Sequence, residues 1–157
     1  RLGRFDREAA LAAGVPEGPL WGRLHRSNPV TLPDGTVVGP EGIVGPARPG
    51  RTVVYTGDTR PCDAVRVAAQ GADLLVHEAT FGEDEGQRAV ETGHSTAREA
   101  AELARDAGVR RLVLTHISAR YNREAPELLA EASSVFSPVT IARDGMSIEV
   151  PFPDRIG

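Results

Sequence analysis

"VVYTGDTRPCD", Val53 to Asp63, decides how this chain is read. A β-branched run ends at Gly57, and an acid, a hydroxyl, a cation and a proline come next. β-Branched and aromatic residues bounded by glycine predict a buried strand. Pro61 predicts a helix start, because proline at the first helical position gives up only a donor the helix cannot use. A carboxylate at the tip of such a strand is either a helix cap or a ligand. Asp58 and Thr59 both have the chemistry of a cap, and Asp58 also has that of a ligand.

Outward from this stretch the pattern is regular. Strand signals fall at 51–56, 73–77, 111–115, 138–142 and 146–150, and helix signals at about 61–70, 97–107 and 124–134. Gly71 and Gly108 stand where glycine ends a helix. Thr96 with Glu99 predicts a capping box. "RDGM" (143–146) predicts a two-residue hairpin turn. Strands alternating with helices predict an α/β fold. Residues 1–50 read differently: "GVPEGPLWGRL" and "GPEGIVGPARPG" carry many helix- and strand-interrupting residues. A short helix is expected at 6–13 with Gly14 as its stop, and a hairpin through Asp34-Gly35. This segment is read as a surface module without a core of its own, and residues 51–157 as the main domain.

The bulk composition limits the function classes. The 157 residues suffice for one domain with a real core. No apolar run approaches the roughly 18 residues of a membrane span, and no signal-peptide pattern opens the chain. Cys62 is the only cysteine, which excludes an internal disulfide and a cysteine zinc cluster. A cytoplasmic setting is expected, with no membrane partner. The first residue is Arg1, and no helix or strand signal precedes it, so the chain is read as starting inside a larger protein. All 18 basic residues are arginine. The net charge of −4 argues against broad nucleic-acid affinity, but residues 1–60 hold eight Arg against six acids, whereas 61–157 hold ten against sixteen. A polyanion would meet the first part, or local arginines, before the whole surface.

The polar residues fall in one kind of place. Asp58 follows the first long strand signal, His77 and Glu78 end the second, and His116 ends the third. His94 precedes the capped helix. In open α/β sheets, chemistry gathers beyond the carboxyl ends of strands. Each residue also has a plain reading: His77 as a hydrogen-bonded core histidine, Glu78 and His94 as loop residues, His116 as structural, His25 as a surface residue and Cys62 as packing. Jointly, imidazoles and carboxylates at adjacent strand ends are the donor set expected for Zn²⁺ or a similar metal. An aspartate can bridge two such ions, and a two-metal site can bind a phosphodiester and activate water. The donors here are too few for two metals, so spacing alone supports only half of a metal site.

Four stretches, "YTGDTRPCD", "ADLLVHEATF", "GHSTAREAAELA" and "LVLTHISARY", resemble the C-terminal portion of the ribonuclease Z family, tRNA 3′-end processing endonucleases of the metallo-β-lactamase superfamily. "HEAT" (77–80) followed by "GHST" (93–96) is the most specific pair. The resemblance implies the C-terminal half of an αββα sandwich. It implies that Asp58 bridges two zinc ions, that His116 is a terminal ligand, and that His94 stabilises the scissile phosphate or protonates the leaving oxygen. Glu78 would orient His94, and Arg120 and Tyr121 could contact RNA. The region around "VPEGPLWGRL", with Gly18 and Pro19, is similar to the arm that grips tRNA in this family. The implied substrate is precursor tRNA and the implied assembly a homodimer. The family's HxHxDH motif is not in these 157 residues, so the chain alone is expected to be inactive. Two rival readings stand beside this one. One is another metallo-β-lactamase-type hydrolase, such as a small-molecule phosphodiesterase or an arylsulfatase-like enzyme. The other is a non-catalytic RNA-binding or dimerisation module.

Overall fold

The computed structural model describes residues 1–121 and 124–152. The chain divides into two compact units, Arg1–Gly50 and Arg51–Gly157.

In the first unit, helix α1 (Arg7–Ala12) starts at Asp6, whose carboxylate accepts a hydrogen bond from the Ala9 amide at 2.9 Å. Helix α2 (Pro19–His25) comes after Gly18 and carries its proline in the first turn. Strands β1 (Val30–Thr31) and β2 (Val37–Val38) pair antiparallel across the Asp34-Gly35 turn. Two expectations are corrected here. The Gly/Pro-rich stretch forms a helix, because its proline stands where helices tolerate one. The segment also has a core: Ala10, Val15, Leu24, Val30 and Ile43 are buried, with Phe5, Leu20 and Trp21 packed on them. His25 belongs to that packing, lying edge-on to Phe5 with Nε2 2.9 Å from the Gly3 carbonyl.

The second unit is built on β3 (Val53–Tyr55), β4 (Leu74–Glu78), β5 (Leu112–Thr115) and β6 (Val139–Ile141), all parallel in that spatial order. Helices α3 (Asp63–Ala68), α5 (Ala97–Asp106) and α6 (Pro126–Ser133) fill the crossovers. Alternation sorts the strands' side chains. Val54, Leu75, Leu112, Leu114, Val139 and Ile141 enter one apolar core with the α5 alanines Ala97, Ala100, Ala101 and Ala104. A row of alanines lets α5 lie close on the sheet. The capping box is present: the Thr96 hydroxyl accepts from the Glu99 amide, and the Glu99 carboxylate accepts from the Thr96 amide.

Helix α4 (Gly86–Thr92) has no counterpart among the helix signals of the sequence. It comes after a single 3₁₀ turn (Glu83–Glu85), and its leading glycine and acid-rich approach disguise it. The strand expected at 146–150 does not form. The turn at Asp144-Gly145 closes with a 3.0 Å bond from the Met146 amide to the Arg143 carbonyl, but residues 147–150 do not pair with β6. Instead, Arg111 donates to the Glu149 carbonyl and Arg51 to the Val150 carbonyl, and Pro151 has no N–H to give a ladder. The described residues contain no helix long and apolar enough to cross a membrane.

Candidate active site

Three turns at the carboxyl edge of the sheet build the site. Gly57, at φ +63°, turns the chain off β3 in a conformation that a side chain would strain, and Asp58 is the next residue. The helix after it is not capped by Asp58 or Thr59: α3 begins beyond Cys62. Gly93, at φ +78°, ends α4 and sets up His94, whose amide donates to the Ala89 carbonyl at 2.8 Å. His116 leaves β5 at φ +54°. A non-glycine residue held there is strained, and such strain gathers at functional sites.

These turns bring Asp58, His94 and His116 together. One ligand atom from each lies within 4.8 Å of the others. His116 Nε2 is 3.5 Å from Asp58 Oδ2, and the His94 and His116 rings stack with centroids 5.1 Å apart.

Behind them stands Glu78, with no exposed surface. Its Oε1 accepts from the Thr59 amide at 2.9 Å and from His94 Nδ1 at 2.8 Å. Its Oε2 accepts from the Ser95 amide at 3.1 Å, and from the Thr80 amide at 3.1 Å and hydroxyl at 2.8 Å. Burial pushes the Glu78 carboxyl up, but the bonds from Thr59, Ser95, His94 and Thr80 outweigh it and hold the group below its ordinary value of 4.5. Glu78 is therefore a buried carboxylate satisfied by a ring of donors.

That charge orders both histidines. The Thr80 hydroxyl has one proton, and it points at an acceptor-only carboxylate. The hydroxyl oxygen must then accept from His116 Nδ1, 2.8 Å away. His94 Nδ1 likewise donates to Glu78. Both imidazoles are left with Nε2 as the free nitrogen. Metal-binding histidines are characteristically pinned this way through their second nitrogen. Two imidazoles and a carboxylate oxygen fit a divalent metal such as zinc in chemistry, but three donors are one short of a closed tetrahedral site.

The other residues singled out from the sequence contribute no ligand atom to this cluster. Arg120 pairs with Glu85 and lies over Phe81, whose ring is edge-on to His94. The Tyr121 hydroxyl accepts from the Gly82 amide at 2.8 Å, so it braces the turn after β4. Gly18 and Pro19 are exposed at the start of α2, in the first unit. Sequence reasoning missed Thr80, which links Glu78 to His116; its place in "HEAT" was the available signal. A cavity of about 780 Å³ opens beside His116, lined also by Glu124, Arg143 and Asp144.

His77 faces the other side of β4 and is fully buried. Its Nδ1 lies 2.7 Å from the Glu78 carbonyl, and its Nε2 has no partner among the described residues. Burial pushes it below its ordinary value of 6.5, and the Glu78 carbonyl and the Glu78 and Glu99 charges do not make up the difference. The unfolded chain therefore binds a proton here that the folded chain refuses. Stability from this group is complete above about pH 6.5 and falls as pH drops below that value; the Glu78 contribution falls only below about 4.5. His77→Asn keeps a donor for the Glu78 carbonyl but does not titrate. Urea midpoints measured from pH 7.5 to 5 should fall less steeply in this variant, and parallel slopes would mean that His77 is not the source.

The comparisons with known proteins agree on one family. The β-lactamase superfamily domain matches residues 28–117. The ribonuclease Z of Gemmatimonas aurantiaca is 59% identical over 156 residues, covering 99% of this chain and 50% of the relative. That of Halobacterium salinarum is 56% identical over 154 residues, covering 98% and 50%. Among solved structures, the metallo-β-lactamase-fold protein YhfI from Bacillus subtilis aligns with a TM-score of 0.55 at 37% identity, over 61% of this chain and 39% of that one. The short form of human tRNase Z aligns with a TM-score of 0.53 at 34% identity, over 74% and 37%. The chain spans about half the length of the curated relatives it matches. It belongs to the β-lactamase superfamily, with the metallo-β-lactamase fold, and it is similar along nearly its whole length to proteins named ribonuclease Z.

Proposed function

We propose that this chain is the C-terminal half of a zinc-dependent endoribonuclease that removes the 3′ trailer from precursor tRNA. The observation that carries the reading is the Glu78 network. One buried carboxylate orients two histidines, each of which brings a ligand atom within 4.8 Å of one on Asp58, in a chain more than half identical to proteins named ribonuclease Z. Asp58 and His116 would hold the metal, and the remaining donors would come from a segment outside these 157 residues. When bound, zinc polarises a phosphoryl oxygen and lowers the pKa of water, which suits phosphodiester hydrolysis at neutral pH.

The chain's own residues then have distinct tasks. Glu78 keeps the His94 Nδ1–H directed at itself, so Nε2 is the nitrogen that meets the phosphate. For the leaving step His94 must carry a second proton on Nε2, as an imidazolium beside the Glu78 carboxylate. In that form it would stabilise the developing charge and pass the Nε2 proton to the leaving ribose oxygen, returning to the neutral ring with Nδ1–H on Glu78. Cleavage would leave a 3′-hydroxyl on the tRNA and a 5′-phosphate on the trailer. Thr80 holds His116 in the tautomer that offers Nε2. Arg120, beside Phe81, would meet RNA. The first unit, through the exposed Gly18–Pro19 start of α2, would grip tRNA. We assign the complete protein to the cytoplasm as a homodimer.

The test is cleavage by the full-length protein with zinc. A precursor tRNA carrying a 3′ trailer should be cut once, next to the acceptor stem, and the mature product should be a substrate for 3′-end ligation through its free hydroxyl. Hydrolysis of small phosphodiesters without any cut in precursor tRNA would favour the small-molecule hydrolase instead.

A further inference from the structure

The turn that carries Asp58 also reaches across to His94. Arg60 Nη1 donates to the His94 main-chain carbonyl at 2.7 Å and to Glu99 Oε2 at 2.8 Å, while Nη2 donates to Glu99 Oε1. Glu99 is itself fixed, because its Oε2 accepts from the Thr96 amide in the capping box of α5. The Arg60 guanidinium is thus held at two points by the Glu99 carboxylate, and its other hydrogen bond among the described residues goes to the His94 carbonyl. A second strap runs alongside: the Ser95 hydroxyl donates to the Thr59 carbonyl at 2.6 Å, and the Thr59 amide donates to Glu78.

An exposed ion pair is worth little for stability. This pair is only about one-third exposed on each side, and its geometry serves another end. The guanidinium's planar fork satisfies a carboxylate and still has a donor for the carbonyl. The His94 backbone is then held from both directions, its amide by α4 and its carbonyl by Arg60. With the main chain fixed, the ring has one way to keep Nδ1 on Glu78.

We propose that Arg60 is a positioning residue for His94: by clamping the His94 carbonyl to the Glu99 end of α5, it sets the distance and direction of the His94 ring relative to Glu78 and Asp58. The inference rests on the reading of His94 given above, but its geometric part can be measured without any substrate.

The experiment uses the full-length protein. Arg60→Ala should lower kcat on precursor tRNA by about 10- to 100-fold, since misplacing a reacting group by an ångström costs up to about that much. KM should change by less than about 2-fold. Arg60→Lys keeps the charge opposite Glu99 but cannot grip the carboxylate at two points and reach the carbonyl. It should lose kcat nearly as far, and full activity in this variant would overturn the clamp. In a His94→Ala background Arg60→Ala should cost less than about 2-fold more, because the residue acts through His94; a full additional loss would overturn the proposal. The second readout is the His94 Nδ1–H proton resonance, which the Glu78 bond is expected to keep in slow exchange. It should broaden or vanish in Arg60→Ala, or in Arg60→Lys if the alanine variant does not fold. An unchanged resonance overturns the clamp. If the protein cuts no precursor tRNA at all, the functional reading fails while the resonance still decides the role of Arg60.

Discussion

His94→Ala in the full-length protein is expected to lower turnover of precursor tRNA by about 10²–10⁴-fold, the range typical for loss of a general acid, with metal content unchanged. The second half of that statement is the sharper one. One ligand atom of His94 lies within 4.8 Å of those of both Asp58 and His116, so proximity alone would allow it to be a ligand. The Glu78 bond does not decide between the roles, because metal-binding histidines also donate their second nitrogen to a carboxylate. What favours the phosphate is that His94 sits on a helix-flanking turn, unlike Asp58 and His116, which lie just past strands β3 and β5. Elemental analysis of the variant separates the roles. Loss of zinc together with activity would make His94 a ligand and overturn its assignment. Intact zinc with full activity would mean that neither role is correct.

The sheet was legible because its strands are buried runs of Val, Leu and Ile bounded by turn residues, and parallel strands covered by helices read that way. Val53–Tyr55, Leu112–Thr115 and Val139–Ile141 fall inside the predicted stretches, and Leu74–Glu78 overruns its own by one residue. The segment 146–150 has the same local look, but a strand needs a partner. Its carbonyls are taken by Arg51 and Arg111 side chains from distant positions, which no local pattern reports. The core of the first unit was hidden for a related reason: Val15, Leu24 and Ile43 are isolated among glycines and prolines, and only the fold assembles them. At the site, the polar residues at strand ends were visible from topology. The links between them were not. That Thr80 joins Glu78 to His116, or that Arg60 spans from the Asp58 turn to the His94 carbonyl, depends on side-chain reach over separations of 36 and 34 residues.

The 157-residue chain purified alone is expected to bind zinc weakly and to leave precursor tRNA uncut. If it is one half of a longer ribonuclease Z, as we propose, the outcome stems from its donors. Asp58 and His116 offer one side chain each, and even with His94 the set is one short of a closed tetrahedral zinc site. Catalysis on zinc needs the metal held firmly enough to keep an open position in a defined direction, which two exposed ligands cannot do. The sheet points the same way. Opposite its helix-covered face, Val53 is 53% and Tyr55 70% exposed, and apolar groups left open on a sheet invite association. Supplying the remaining half of a close relative, such as the ribonuclease Z of Gemmatimonas aurantiaca, should restore stoichiometric zinc and cleavage when the two halves are co-expressed. Asp58→Ala in the 157-residue partner should then abolish both. Robust zinc-dependent cleavage by the 157-residue chain alone would overturn the half-site reading. Restored cleavage that survives Asp58→Ala would show that the metal is held without this chain, leaving it the role of a binding module.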